Sequence, residues 1–179
     1  MNNDPIFTGL PANEINPSWL GLGFRFGEKG SHGSRTIMFR ELATLFAYSP
    51  PNSSRVAYAQ ALLDDNCLGK PTYSSRQQTL QRLTELYGID PSLPLFRLLR
   101  AAWNTGEEPC PHLALLAALA RDPLLRATVP VLLALQTGEE LARQKMTDSI
   151  QETVGERMND ATIDKVVRNA SSSWTQSGH

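Results

Sequence analysis

From residue 36 onward the apolar positions of this chain recur at helical spacing. Ile37, Leu42, Leu45 and Phe46 keep one face until Pro50-Pro51 stops the run. Asn52, Ser53 and Ser54 supply capping side chains for a second helix, whose stripe is Val56, Ala59, Leu62 and Leu63. Asp64-Asp65-Asn66 and Gly69 end it, and Lys70-Pro71 makes the turn. A third helix is predicted to start near Ser74 or Ser75, with Leu80, Leu83, Leu86 and Tyr87 on its buried face and Gly88 as its stop. Leu95 to Trp103 follows, then a polar loop, Thr105–Pro111. Beyond it the pattern predicts two apolar helices over 112–121 and 123–136. Glu139 to Met158 reads as a long amphipathic helix carrying a narrow Met146/Ile150/Val154/Met158 stripe. Asn159 or Asp160 caps a last helix with Ile163, Val166, Val167 and Ala170 facing inward.

The first 34 residues break this rhythm. Pro5, Pro11 and Pro17 and six glycines between Gly9 and Gly33 predict irregular chain wrapped over a helical body. Within it Leu22, Phe24 and Phe26 alternate with Gly23 and Arg25, which fits one short strand or an extended arm. The predicted fold class is therefore all-α, built of winged-helix or helix-turn-helix-like modules joined by a helical core. Four segments are expected: an irregular arm (1–34), a helix-turn-helix-like module (35–90), an apolar helical core (91–137), and an amphipathic helix leading into a winged-helix-like module (138–179). No period of 20–50 residues signals a solenoid.

Composition narrows the class further. The chain has 179 residues, 41% hydrophobic and 20% charged, which suits a folded globular protein. Two cysteines, Cys67 and Cys110, are too few for a disulfide framework and fit a reducing, cytoplasmic setting. The start lacks a basic stretch followed by an apolar run, so no signal peptide is expected. The greasiest stretch, Leu113–Leu135, contains Arg121, Asp122 and Arg126, each costly at mid-bilayer, so buried helices are expected there and not a membrane span.

Catalytic patterns are sparse. His32, His112 and His179 are far apart in sequence. No HExxH, paired Cys/His cluster or EF-hand loop occurs, so neither metal nor cofactor is expected. Gly21-Leu22-Gly23 lacks the rest of a phosphate loop, and there is no GxSxG elbow. Cys67 and His112 could meet in space, but nothing local activates the thiol. The adjacent pairs Glu107-Glu108 and Asp64-Asp65 do not face each other as an acid/base dyad would. The expectation is a protein that is not an enzyme.

One constellation speaks to function. The formal net charge is −1, yet residues 28–100 carry nine basic side chains against six acidic, a local excess of three. Inside this stretch two predicted helices meet at a short turn, and the second opens with Ser74-Ser75-Arg76-Gln77-Gln78-Thr79. A helix-turn-helix presents the first turns of its second helix to the major groove. Short hydroxyls and helix N–H groups suit phosphates there, and Arg and Gln suit base edges. Ser74, Ser75, Arg76, Gln77, Thr79 and Arg82 are of that type, with Arg55 and Lys70 as flanking phosphate contacts. A plain surface helix opposite a leucine stripe would look the same. The C-terminus repeats the grammar, with Lys165, Arg168 and Asn169 on a polar face ahead of Ser171–His179. The expectation is a second winged-helix module that stops where its wing would begin, against the alternative of a frayed terminal helix.

Three segments carry a family resemblance: Ala61–Lys70 running into Ser74-Ser75-Arg76, Leu119–Arg126, and Ser172–His179. Together they make the chain similar to the BrxA family, small accessory proteins of bacterial BREX phage-defence systems. The resemblance spans most of residues 37–179. It implies a helical, cytosolic, non-enzymatic protein with winged-helix-like parts that binds double-stranded DNA alongside other BREX components. The chain departs from that pattern in its mild acidity and in lacking a basic C-terminal wing. The alternative is a helical adaptor without direct DNA contact, holding a partner helix on the 113–135 pair and the methionine stripe.

Overall fold

Prolines set where many of the helices begin. In the computed structural model, which describes residues 16–27, 29–106 and 110–178, Pro17, Pro94, Pro111 and Pro123 each open a helix. At that position the missing N–H would have no partner anyway, and the fixed φ is already helical. The helices are α1 (Pro17–Leu22), α2 (Phe39–Tyr48), α3 (Arg55–Leu63), α4 (Tyr73–Tyr87), α5 (Pro94–Trp103), α6 (Pro111–Arg121), α7 (Pro123–Arg126), α8 (Val129–Leu133), α9 (Arg143–Val154) and α10 (Asp160–Gln176). Single 3₁₀ turns occupy Ser31–Gly33 and Gly155–Arg157. No strand occurs among the described residues, so the fold is all-α and no wing is seen among them.

Side-chain caps mark the starts of α3, α4 and α10. Ser54 accepts from the Ala57 N–H and Asn159 from the Thr162 N–H, each worth about 1 kcal/mol. α4 begins one turn-edge earlier than the serines suggest. Thr72 is its cap, and Ser75 is the reciprocal member of a capping box, so the helix opens at Tyr73.

Three other expectations change. Leu22–Phe26 is not a strand: Asn16 caps α1, Gly23 closes it at φ 105°, and Phe24 and Phe26 follow as stacked rings in irregular chain. The apolar run 123–136 is two short helices, because Pro130 has no N–H for the Arg126 carbonyl and its ring excludes a continuous turn. The helix predicted over 139–158 is shorter, since Gly155 takes φ 56°, ψ −140°, a conformation that favours glycine.

One set of buried side chains runs through α2 to α10. At one end Phe46 meets Phe96 and Trp103 edge-on, and Tyr58 meets Phe96 in the same way, locking α2, α3 and α5 together. At the other end Met146, Ile150 and Val154 of α9 and Ile163, Val166, Val167 and Ala170 of α10 are buried. No helix among the described residues is long and apolar enough to cross a membrane. The arginines of the 113–135 run are used inside the protein. Arg126 donates to the carbonyls of Leu119, Ala120 and Arg25, and Arg121 to those of Gly23, Thr84 and Glu85. Together they strap residues 23–25 onto the helical body; residues 1–15 of the expected arm lie outside the described residues.

Candidate nucleic-acid interface

α3 and α4 pack against each other across a turn held by Asn66. This residue sits at φ 50°, and its side-chain amide bonds both the N–H and the carbonyl of Lys70. The two helices are joined by this short turn, and α4 presents Ser74 and Gln77 as exposed side chains. No acidic residue lies in its first turn.

The other candidates on this unit have intramolecular partners. Arg76 Nη1 donates to the Leu63 carbonyl at 2.6 Å, satisfying an orphan group at the C-terminal end of α3. Lys70 Nζ lies 3.1 Å from Glu41 Oε1 on α2. Arg82 Nη1 lies 2.8 Å from Glu85 Oε2, and Arg55 Nη1 lies 3.4 Å from Asp90 Oδ2. Ser75 is spent on the capping box. Thr79 faces the wrong way for a groove: it is buried, and its hydroxyl donates to the Ser75 carbonyl one turn back. A threonine on a helix readily bonds inward like this, so its polarity in the sequence did not signal exposure.

On α10 the picture differs. Lys165 and Arg168 are both exposed. The two helices converge on one short turn. Glu85 of α4 accepts from the Ser31 hydroxyl at 2.9 Å, and Asn169 of α10 donates to the His32 carbonyl at 2.8 Å. Lys29 and Arg35, on either side of that turn, are exposed cations that the sequence pattern did not single out. Burial works against the Glu85 carboxylate, but hydrogen bonds from Arg82, Ser31 and Gln81 outweigh it and hold the group below its ordinary value.

Beneath the turn lies a buried polar cluster. His32 Nδ1 is 2.8 Å from Asp122 Oδ2, and His32 Nε2 is 2.9 Å from Ser173 Oγ. Burial alone would raise the Asp122 carboxyl. The bonds from the His32 ring and from the His32 and Leu125 N–H groups instead hold it low, so it is an ionised acceptor at neutral pH. Its other oxygen caps α7 through the Leu124 and Leu125 N–H groups. A side chain at Gly30 would collide with this carboxylate, which is why glycine stands there.

The order Ser173–His32–Asp122 matches that of a hydrolytic triad. These side chains are nonetheless fully enclosed, and Ser173 Oγ also accepts from the Ile37 N–H and donates to the Asn169 carbonyl. A nucleophile must meet its substrate, and no substrate atom reaches Ser173 in this packing. The cluster joins the turn, α7 and α10. Sequence reasoning missed it because its members lie 90 and 141 positions from His32. One signal was present: a charged Arg121-Asp122 pair inside an apolar run must be paired when buried. Cys67, half-buried between α3 and α4, has its thiol pushed up by burial and by Asp65, which disfavours it as a nucleophile. Among the described residues no group of three metal-ligating side chains occurs.

No family model, curated protein or solved structure matches this chain.

Proposed function

We propose that this chain is a non-enzymatic, cytoplasmic accessory protein of a BREX-type phage-defence system that binds double-stranded DNA, as the resemblance to the BrxA family implies. The supporting observation is the exposure of Ser74 and Gln77 on α4 and of Lys165 and Arg168 on α10, two helices tied to one turn flanked by exposed Lys29 and Arg35. In this reading the contact set is narrower than the sequence suggested. Arg76 and Thr79 serve the helix-turn-helix itself. Lys70, Arg82 and Arg55 already spend a donor on Glu41, Glu85 and Asp90. The acid-free first turn of α4 favours a phosphate near its N–H groups.

A mobility-shift titration with a DNA duplex at about 50 and about 200 mM salt tests this reading. Lys165→Ala/Arg168→Ala is expected to weaken binding and to reduce the log–log salt slope by about 1.8, at about 0.9 per phosphate contact. An unchanged slope removes α10 from the interface, and no retention of duplex by the wild type removes the reading.

The adaptor alternative shifts ground. Met146, Ile150 and Val154 are core side chains and offer a partner nothing. An apolar cavity of about 440 Å³ beside α6 and α8 favours this second reading, with Leu116 and Leu133 exposed at its edge. Co-purification of a defence component lost in Leu116→Asp/Leu133→Asp, without DNA retention by the wild type, would decide for it.

A further inference from the structure

A second cavity, of about 410 Å³, lies between the turn joining α2 to α3 and the outer face of α5. Asn52, Ser53, Phe96, Arg97, Arg100 and Asn104 are among its lining residues, which include two arginines and no carboxylate. That volume is within the range of small-molecule sites. Asp90, next to the lining residue Pro91, is committed to the Ser92 N–H and to Arg55.

Arg100 is the unusual member. It is only 6% exposed, and its Nη2 donates to the Phe46 and Ser49 carbonyls at 3.0 and 2.6 Å. Its Cζ lies 4.4 Å from the centroid of the Phe46 ring. This accounts for one nitrogen, which closes the C-terminal end of α2. Nε is buried and has no partner. Its neighbours are carbonyl dipoles, a ring face and the Tyr58 hydroxyl, so this buried guanidinium has no carboxylate as counter-charge. The unspent group on this lining residue is an N–H donor of a cation, so what complements it is an anion with acceptor oxygens. A neutral acceptor would satisfy the hydrogen bonds and leave the charge uncompensated. Arg97 adds a second cation, held in place by bonds from its Nη1 to the Pro91 and Ser92 carbonyls.

We infer that this cavity binds a phosphate group, with Arg100 and Arg97 as its cationic ligands. The group comes from a free phosphomonoester or from the backbone of a nucleic acid; the recognising chemistry is the same.

The test is a titration of the full chain with inorganic phosphate, followed by calorimetry and by ³¹P line broadening at constant ionic strength. Saturable binding is expected. Ala101→Glu sets a carboxylate on the cavity wall at an exposed helical position and is expected to weaken phosphate binding at least about tenfold, the loss of one charge-assisted contact. Leu98→Glu adds the same charge to the exposed side of α5 outside the cavity and should change affinity less than about twofold, since a solvated charge is screened. Asn104→Asp is the second probe, with an unshifted melting curve as the check that the fold persists. Absence of saturable binding in the wild type overturns the proposal, as does equal affinity of folded Asn104→Asp and wild type. Repeating the titration with a saturating DNA duplex separates the sources: displacement of phosphate assigns the cavity to a backbone phosphate, and undiminished binding assigns it to a free ester. The first titration contains no DNA, so its outcome stands apart from that of the duplex-binding reading.

Discussion

α4 and α10 carry similar polar and basic side chains, yet they use them differently. On α4 the arginines are consumed by the protein: Arg76 closes the end of α3, and Arg82 pairs with Glu85. On α10 Lys165 and Arg168 project from the outer face, and the inward-facing polar residues Asn169 and Ser173 hold the turn at His32. A cation close to the last carbonyls of a neighbouring helix has a local use that competes with any ligand. A cation at mid-helix with an apolar stripe behind it has none. The same residue types at the same spacing therefore carry different functional weight, and the packing of the adjacent helix decides which.

The largest effect should come from the cluster that joins α10 to the rest. Asp122→Asn removes the charge that the His32 ring and three backbone N–H groups address, and is expected to cost about 3–5 kcal/mol in urea unfolding, the range for breaking a buried charged pair. A loss under about 1 kcal/mol would mean that α10 is held by its apolar face alone. The same group sets the acid response. Its folded pKa lies below the ordinary value of 3.8, so its contribution is complete above about pH 4 and is lost as pH falls through the folded value. Wild-type stability should decline steeply below pH 4, and Asp122→Asn should decline less over the same interval. Parallel curves would assign the acid sensitivity to other carboxylates, Glu85 first among them.

The smallest effects separate the two helices. Arg76→Ala leaves the Leu63 carbonyl without its partner and should cost about 1–3 kcal/mol, with the salt slope of DNA binding unchanged. Lys165→Ala/Arg168→Ala should show the reverse, an unchanged melting curve with a shallower slope. If both variants lowered the slope equally, the contrast between α4 and α10 would fail.

Much of the fold was legible because its causes are local. Pro123 at a helix start, Ser54 and Asn159 as caps, and Gly88 as a stop act within a few residues of their position. The misread elements also have local causes that pattern counting overlooked. Thr72 outcompeted the serines as a cap, and Pro130 split an apolar run that hydrophobicity alone would have continued. The candidate site was less legible. Its residue types are of the kind that suits DNA, but Thr79 turned inward and Arg76 was spent on α3. Nothing in the spacing of residues 74–82 separates Gln77, which reaches solvent, from Thr79, which bonds its own backbone.

Taken alone, the amino-acid sequence determined the all-α class and the approximate helix limits, since propensity, capping and hydrophobic period act over single turns. Only the tertiary structure decided which charges remain available. It brought His32, Asp122 and Ser173 together, and it put a carbonyl or a carboxylate within reach of Arg76, Lys70 and Arg82. It also left Arg100 buried without a counter-charge. Charge availability depends on what lies within about 4 Å in space, and residues far apart in the chain set that distance.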